Sequence, residues 1–279
     1  MPETAVAGAT PKGLVAAASE RLAAAGCETP RLDAELLLAR ALGHDSRSRL
    51  VIDAGCPLGP DAMAGFERLL ERRERREPVA YILGTRAFRR IALALDRRVL
   101  IPRPETELLV ELALSLPHGS SVADVGTGSG AVALALASER PDLLLTGIDS
   151  SAAALKVAVA NRERLGLQAV EFVRADLLDA DRYDAVLANL PYVASGERVE
   201  PEVALYEPHQ ALFAGADGLD ALRRLAARLA EAPRCRFAAL EVGAGQAPSV
   251  GKLLRGAGFG QVDSRRDLAG HERVVVGRR

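Results

Sequence analysis

At 279 residues, with 49% hydrophobic and 26% charged side chains, the chain has an ordinary globular composition and material for one large or two modest domains. Its 36 lysines and arginines nearly balance 37 aspartates and glutamates, which argues against a global field steering it to nucleic acid or an anionic membrane. Cys27, Cys56 and Cys235 form no CxxC pair, the histidines show no ligand spacing, and no apolar run approaches about 18 residues. A disulfide framework, a metal site and a membrane span are therefore not expected.

The opening "MPETAVAGATPKG" has no basic segment followed by an apolar core, so a cytoplasmic protein is expected. Residues 12 to 75 read as helices. "LVAAASERLAAAG" and "PRLDAELLLARALG" carry apolar positions at helical spacing, with Pro30 near a start and Gly26 and Gly43 as stops. "DAMAGFERLLERRERRE" is predicted as a third helix with Asp61 as its N-cap after Pro60. Its charged tail, Glu71 to Glu77, reads as a solvated helix end, the alternative being a nucleic-acid contact.

From residue 78, "PVAYILGTRAFRRIALALDRRVLI" changes to short, partly alternating apolar stretches around Gly84, which predicts a β-hairpin acting as linker or flap. Beyond residue 102 a βα rhythm takes over. "SVADVG", "LLLTGID", "AVEFVRAD", "YDAVLANL" and "FAALEVG" read as strands separated by helices, and "QVDSRRD" with "ERVVVGR" as a closing pair. This pattern predicts a mainly parallel sheet covered on both faces, with an antiparallel edge.

"DVGTGSGA" follows the first of these strands and opens a helix. Gly126, Gly128 and Gly130, interleaved with Thr127 and Ser129, let the backbone turn sharply and approach a ligand closely. Asp149 ends the next strand about 20 residues on, where a carboxylate can accept from both hydroxyls of a ribose. The pattern formally fits the dinucleotide fingerprint, so NAD competes. Asp124, however, sets a carboxylate near the ligand, which suits an ammonium better than a pyrophosphate. S-adenosylmethionine has an ammonium, a sulfonium and an adenosine without phosphate, and the segment resembles the first motifs of Rossmann-like methyltransferases. On that reading Asp176 and the Leu177 backbone serve the adenine, although Asp176 could equally cap a turn.

"NLPY", at the end of a buried strand, is either a turn or a substrate contact. It resembles the (D/N)-P-P-Y or N-[LI]-P-Y motif of enzymes that methylate planar nitrogens. The resemblance implies that the Asn189 side-chain oxygen and the Leu190 carbonyl accept from the N–H groups of the acceptor. Pro191 then stiffens the loop, and Tyr192 stacks on the planar group.

Together, "PVAYILGTRAF", "LIPRPETE", "NLPY", "YEPHQALFAGADGL", "LEVGAGQ" and "DLAGHERVVVG" resemble the PrmC/HemK family over essentially the whole chain. The resemblance implies a seven-stranded, mostly parallel, Rossmann-like methyltransferase domain at 102–279. It also implies a helical domain at 1–76 that contacts the substrate protein, and a β-hairpin linker at 77–101. The implied reaction is methyl transfer from S-adenosylmethionine to N5 of the glutamine in the Gly-Gly-Gln motif of class 1 peptide chain release factors. Alternatives are a ribosomal-protein glutamine, an adenine N6 of ribosomal RNA, or a non-catalytic adaptor that only binds the cofactor. The chain departs from the family at Leu190, usually Pro, at Leu177, commonly aromatic, and at Ala87, frequently Glu. For "PRPETE", Arg103, Glu105 and Glu107 either pair on the surface at a helix start or line the cleft.

Overall fold

The computed structural model describes residues 10–44, 46–52, 58–178 and 181–279; residues 1–9, read above for a leader, and Cys56 lie outside them. In chain order the helices are α1 (Pro11–Ala24), α2 (Pro30–Ala41), α3 (Arg49–Ile52), α4 (Pro60–Glu74), α5 (Val79–Leu83), α6 (Glu107–Ala113), α7 (Ala131–Glu139), α8 (Ala152–Leu165), α9 (Pro201–Tyr206), α10 (Asp220–Ala230) and α11 (Ala247–Gly256). The strands are β1 (Thr85–Phe88), β2 (Ile91–Ala94), β3 (Ser121–Val125), β4 (Leu144–Asp149), β5 (Glu171–Arg174), β6 (Ala185–Ala188), β7 (Phe237–Glu241), β8 (Gln261–Arg266) and β9 (Glu272–Arg278). Among the described residues, no helix is long and apolar enough to cross a membrane.

The chain divides into two units. The first runs to Gly84 and includes Glu200–Tyr206. Its core is Leu22, Leu37, Leu38, Phe66, Leu70 and Ile82, drawn from α1, α2, α4 and α5 with small alanines between. Asp61 is not the cap of α4: Gly59 takes that place and Pro60 the first helical position, where its missing N–H costs nothing. Nor is the charged run after Glu71 a solvated end. Arg73 is 4% exposed and bonds Asp33 at 2.7 Å, Glu202 at 2.7 Å and the Glu77 carbonyl at 3.2 Å. A guanidinium with five donors can be buried when fixed acceptors surround it, and removing one such partner costs about 3–5 kcal/mol. Alternating charge along this segment carries no sign of which arginine turns inward.

The second unit holds Thr85–Val199 and Glu207–Arg279. It opens with the antiparallel hairpin β1–β2, paired Thr85↔Ala94 through Phe88↔Ile91. The hairpin is shorter than the sequence suggested, because Val79–Leu83 forms α5, ended by Gly84 in the left-handed conformation. Seven strands then form one sheet in the order β5-β4-β3-β6-β7-β9-β8, parallel from β5 to β7 and antiparallel around β9. β3, β6 and β7 are buried almost throughout, as central parallel strands with both faces covered must be, whereas the edge strands β5 and β8 are largely exposed. Leu222, Leu225, Ala226 and Leu229 give α10 one apolar stripe against this sheet, and Ala247, Val250 and Leu254 do the same for α11.

Register fixes where the loops emerge. Val125 pairs with both Ile148 and Ala188, and Ala188 pairs with Leu240. Gly126, Asp149, Asn189 and Glu241 therefore leave the carboxyl edge of the sheet side by side, and the order reverses between β3 and β6. A crevice at such a switch point is where open α/β sheets bind ligands.

Candidate active site

A cavity at this edge is lined by Val125, Gly126, Gly128, Asp149, Asn189 and Leu190, among others. The glycine loop and "NLPY" are packed against each other across it. A Cβ on Gly126, whose φ is +76°, would lie 2.9 Å from Leu190 Cδ2 and 3.1 Å from the Asn189 carbonyl oxygen. Leu190, the departure from proline, is buried and fills this contact.

The loop's own N–H groups are mostly committed. Gly126 and Thr127 donate to the Ile148 carbonyl at 2.8 and 3.0 Å, Gly130 to the Thr127 carbonyl at 2.8 Å, and Gly128 to Asp149 Oδ2 at 2.9 Å. Asp149 Oδ1 accepts from Ser151 N at 2.8 Å. Its carboxylate is thereby fixed on the cavity wall. Asp124 is not on that wall. It is 3% exposed and accepts from Thr127 Oγ1 at 2.6 Å and Ala133 N at 3.2 Å, tying the loop to α7. Burial pushes its pKa up to about 6 against those two hydrogen bonds, with Asp149 adding repulsion. Thr127 and Ser129 are buried, and with Gly130 they shape the loop rather than line the cavity.

Asp176 and Leu177 both line the cavity. Asp176 is exposed and pairs with Arg224 of α10. Leu177 has φ +66°, a conformation costing a non-glycine residue roughly 1–2 kcal/mol and retained where the surroundings impose it.

Asn189 and Pro191 complete the wall. Asn189 Nδ2 donates to Thr106 Oγ1 at 3.0 Å, which leaves its side-chain oxygen as the group that can accept from a ligand. Tyr192 lies outside the cavity lining; its hydroxyl donates to Glu241 Oε1 at 3.5 Å and its carbonyl accepts from Gln246 Nε2 at 2.9 Å. Burial, and then the nearby Glu241 charge, push the phenol up to about 12.

Several supports were not identified from the sequence. Thr106 belongs to "PRPETE", Glu241 and Gln246 to "LEVGAGQ", so the quoted motifs contained them without revealing their contacts. Arg103 is not in a surface pair: it bonds Glu207 Oε1 at 2.6 Å, and Glu207 Oε2 accepts from Ile101 N at 3.2 Å. Asn161 of α8, fully buried, bonds both backbone groups of Ala94 at 2.7 and 3.0 Å and the Ser129 carbonyl at 3.0 Å, so it ties the hairpin to the glycine loop. A lone asparagine inside a helix carries no signal of this in the sequence.

Comparison with known proteins bears on the family and the fold. The PrmC N-terminal domain matches residues 14–84, and the methyltransferase small domain matches residues 104–215. The release factor glutamine methyltransferase of Rhodospirillum rubrum is 41% identical over 267 residues, covering 93% of this chain and 82% of that one. That of Xylella fastidiosa is 42% identical over 277 residues, covering 96% and 98%. Among solved structures, the hMettl16 catalytic domain in complex with a MAT2A 3'UTR hairpin superposes with a TM-score of 0.56 over 67% of this chain and 75% of that one, at 18% identity, a likeness of fold alone.

The sheet order, the glycine loop at the switch point and these matches define a Rossmann-like methyltransferase. Within that class, the chain belongs to the PrmC family of release factor glutamine methyltransferases.

Proposed function

We propose that the protein methylates N5 of the glutamine in the Gly-Gly-Gln motif of class 1 peptide chain release factors, in the cytoplasm, with S-adenosylmethionine as donor. The observation carrying the acceptor chemistry is Asn189, held on the cavity wall by Thr106 with its side-chain oxygen available for an amide N–H.

The donor fits the loop. A pyrophosphate needs free backbone N–H groups, and here those of Gly126, Thr127, Gly128 and Gly130 are already engaged. A phosphate-free nucleoside with a positively charged tail needs carboxylates instead. Asp149 would take the ribose hydroxyls, Asp124 would supply negative charge beneath the loop, and Asp176 with the Leu177 backbone would meet the adenine. The bound donor supplies an electrophilic methyl on a sulfonium, which leaves as a thioether with the bonding electron pair when the amide nitrogen attacks.

The chain's own residues supply alignment. The Asn189 side-chain oxygen and the Leu190 carbonyl hold the two N–H groups, drawing the nitrogen lone pair out of conjugation and toward the methyl group. Pro191 limits the loop's freedom, and Tyr192, beside the cavity rather than on its wall, would flank the planar amide only where the acceptor extends past Pro191. The methylated nitrogen then gives its extra proton to water, so no strong base is needed. Residues 1–76 would bind the release factor, 77–101 link, and 102–279 catalyse.

The test is transfer of labelled methyl from S-adenosylmethionine to a purified release factor, beside a Gln→Asn variant of its Gly-Gly-Gln motif and naked ribosomal RNA. Label on the unaltered factor alone is expected. Label on RNA, or none on any acceptor, would overturn the reading.

A further inference from the structure

Asparagine presents two nearly isosteric ends, and only one of them suits the acceptor. The oxygen accepts from an amide N–H; the NH2 group would repel it. Asn189 bonds Thr106, in the turn before α6, and Thr106 neighbours Glu241, at the end of β7. Thr106 is 3% exposed and Glu241 1%. Glu241 Oε1 receives the Tyr192 hydroxyl, while Oε2 has no hydrogen-bond partner of its own. The Thr106 hydroxyl lies against this carboxyl and favours its ionised form.

We infer that Thr106 and Glu241 are positioning residues that set which end of the Asn189 amide faces the acceptor. This rests on the acceptor role given to Asn189 above. A hydroxyl has one proton and turns it to the better acceptor. Beside an ionised Glu241, Thr106 turns its proton to the carboxylate and can only accept on its other side. Asn189 must then turn its NH2 inward, as seen at 3.0 Å, and its oxygen outward. A protonated Glu241 can itself donate to Thr106. The threonine proton is then free for Asn189, and the amide gains by turning its oxygen inward.

The lock is accordingly sensitive to pH. Burial pushes Glu241 up to about 7; Thr106, Arg273 and Tyr192 oppose the rise and Glu105 adds to it. Turnover should climb as pH rises through that value, while release-factor affinity changes little.

The experiment uses the full chain with release factor and labelled donor. Thr106→Val should lower kcat by about 30-fold, with KM for the release factor and donor affinity within about two-fold of wild type, because the loss falls on the transition state. Thr106→Ser, which keeps the hydroxyl, should recover most of the rate. Glu241→Gln keeps an acceptor oxygen but no titration, so its kcat should be flat between pH 6 and 8, a range of about one unit either side of the wild-type midpoint.

A wild-type kcat for Thr106→Val, a serine variant no better than the valine one, or an unchanged pH limb in Glu241→Gln would each overturn the inference. If the wild type labels no release factor, it is the functional reading that fails. The Asn189 side-chain amide resonances, whose hydrogen-bond shift Thr106→Val should abolish, then decide the lock by themselves.

Discussion

Around one cavity, the glycine loop after β3 is held mainly by partners within its own βαβ unit, and the loop after β6 mainly by side chains from distant stretches. On the first side, the N–H groups of Gly126, Thr127 and Gly130 close onto carbonyls within the same βαβ unit and that of Gly128 onto Asp149. On the second, Thr106, Glu241 and Gln246 reach Asn189 and Tyr192 from other elements. A donor common to many enzymes needs one repeatable cradle. An acceptor loop must instead aim one amide, and aiming requires partners that fix a rotamer.

The largest effect separating the two sides is expected from Asn189→Ala. Loss of a transition-state hydrogen bond worth about 3 kcal/mol lowers turnover roughly 100-fold or more. Donor affinity, measured by calorimetry, should stay near wild type. Near-normal turnover would remove Asn189 from the acceptor side altogether.

Next comes the buried charge of the donor side. In an unfolded chain an aspartate gives up its proton near pH 4, whereas folded Asp124 holds it to about 6. The folded state therefore binds more protons in between, and the stability this confers is full below about pH 4 and is lost as pH rises through about 6. Without donor, Asp124→Asn should gain on the wild type between pH 4 and 7 by on the order of 3 kcal/mol in urea unfolding. A cationic donor should restore the wild type at neutral pH. Unfolding curves that run parallel across this range would show that Asp124 carries no such penalty.

Gly126→Ala tests a contact shared by both sides. Its φ of +76° and the 2.9 Å approach to Leu190 leave no room for a methyl. A loss of about 2 kcal/mol is expected from strain and overpacking together. Unlike Asn189→Ala, it should weaken donor affinity and turnover alike; a fall in turnover alone would mean that the two loops do not move as one.

The same contrast explains what was legible in the sequence. "DVGTGSG" and Asp149 could be read because close backbone approach requires glycine and a strand-end carboxylate follows at a fixed distance. The alternation of strands and helices, with a closing antiparallel pair, follows from apolar periodicity. Asn189 was legible as a motif, but Thr106 was not, since nothing in "PRPETE" distinguishes a hydroxyl facing an asparagine 83 residues on from a helix-start residue. Asn161 and Arg73 were hidden for the same reason: their burial is decided by tertiary partners. Short α5 and α9 escaped because five or six residues cannot display a helical period.

The smallest effect concerns Gln246, and it bears most directly on whether the acceptor side is independently built. Its side chain joins three stretches of backbone, accepting from Gly243 N at 2.9 Å and donating to the Tyr192 carbonyl at 2.9 Å and, in a longer bond, to the Asp217 carbonyl at 3.3 Å. Gly218 lies so close that a Cβ there would sit 2.1 Å from the Tyr192 oxygen, so the carbonyl is already hemmed in when Gln246 is lost. Gln246→Ala should therefore cost only about 1 kcal/mol, the net worth of one such hydrogen bond, and reduce turnover by about five-fold. Donor affinity should not change, because no residue of the glycine loop bonds Gln246. If affinity and turnover fell together, the loop after β6 would be shaping the donor cradle as well, and Gly126 would be the contact that transmits it.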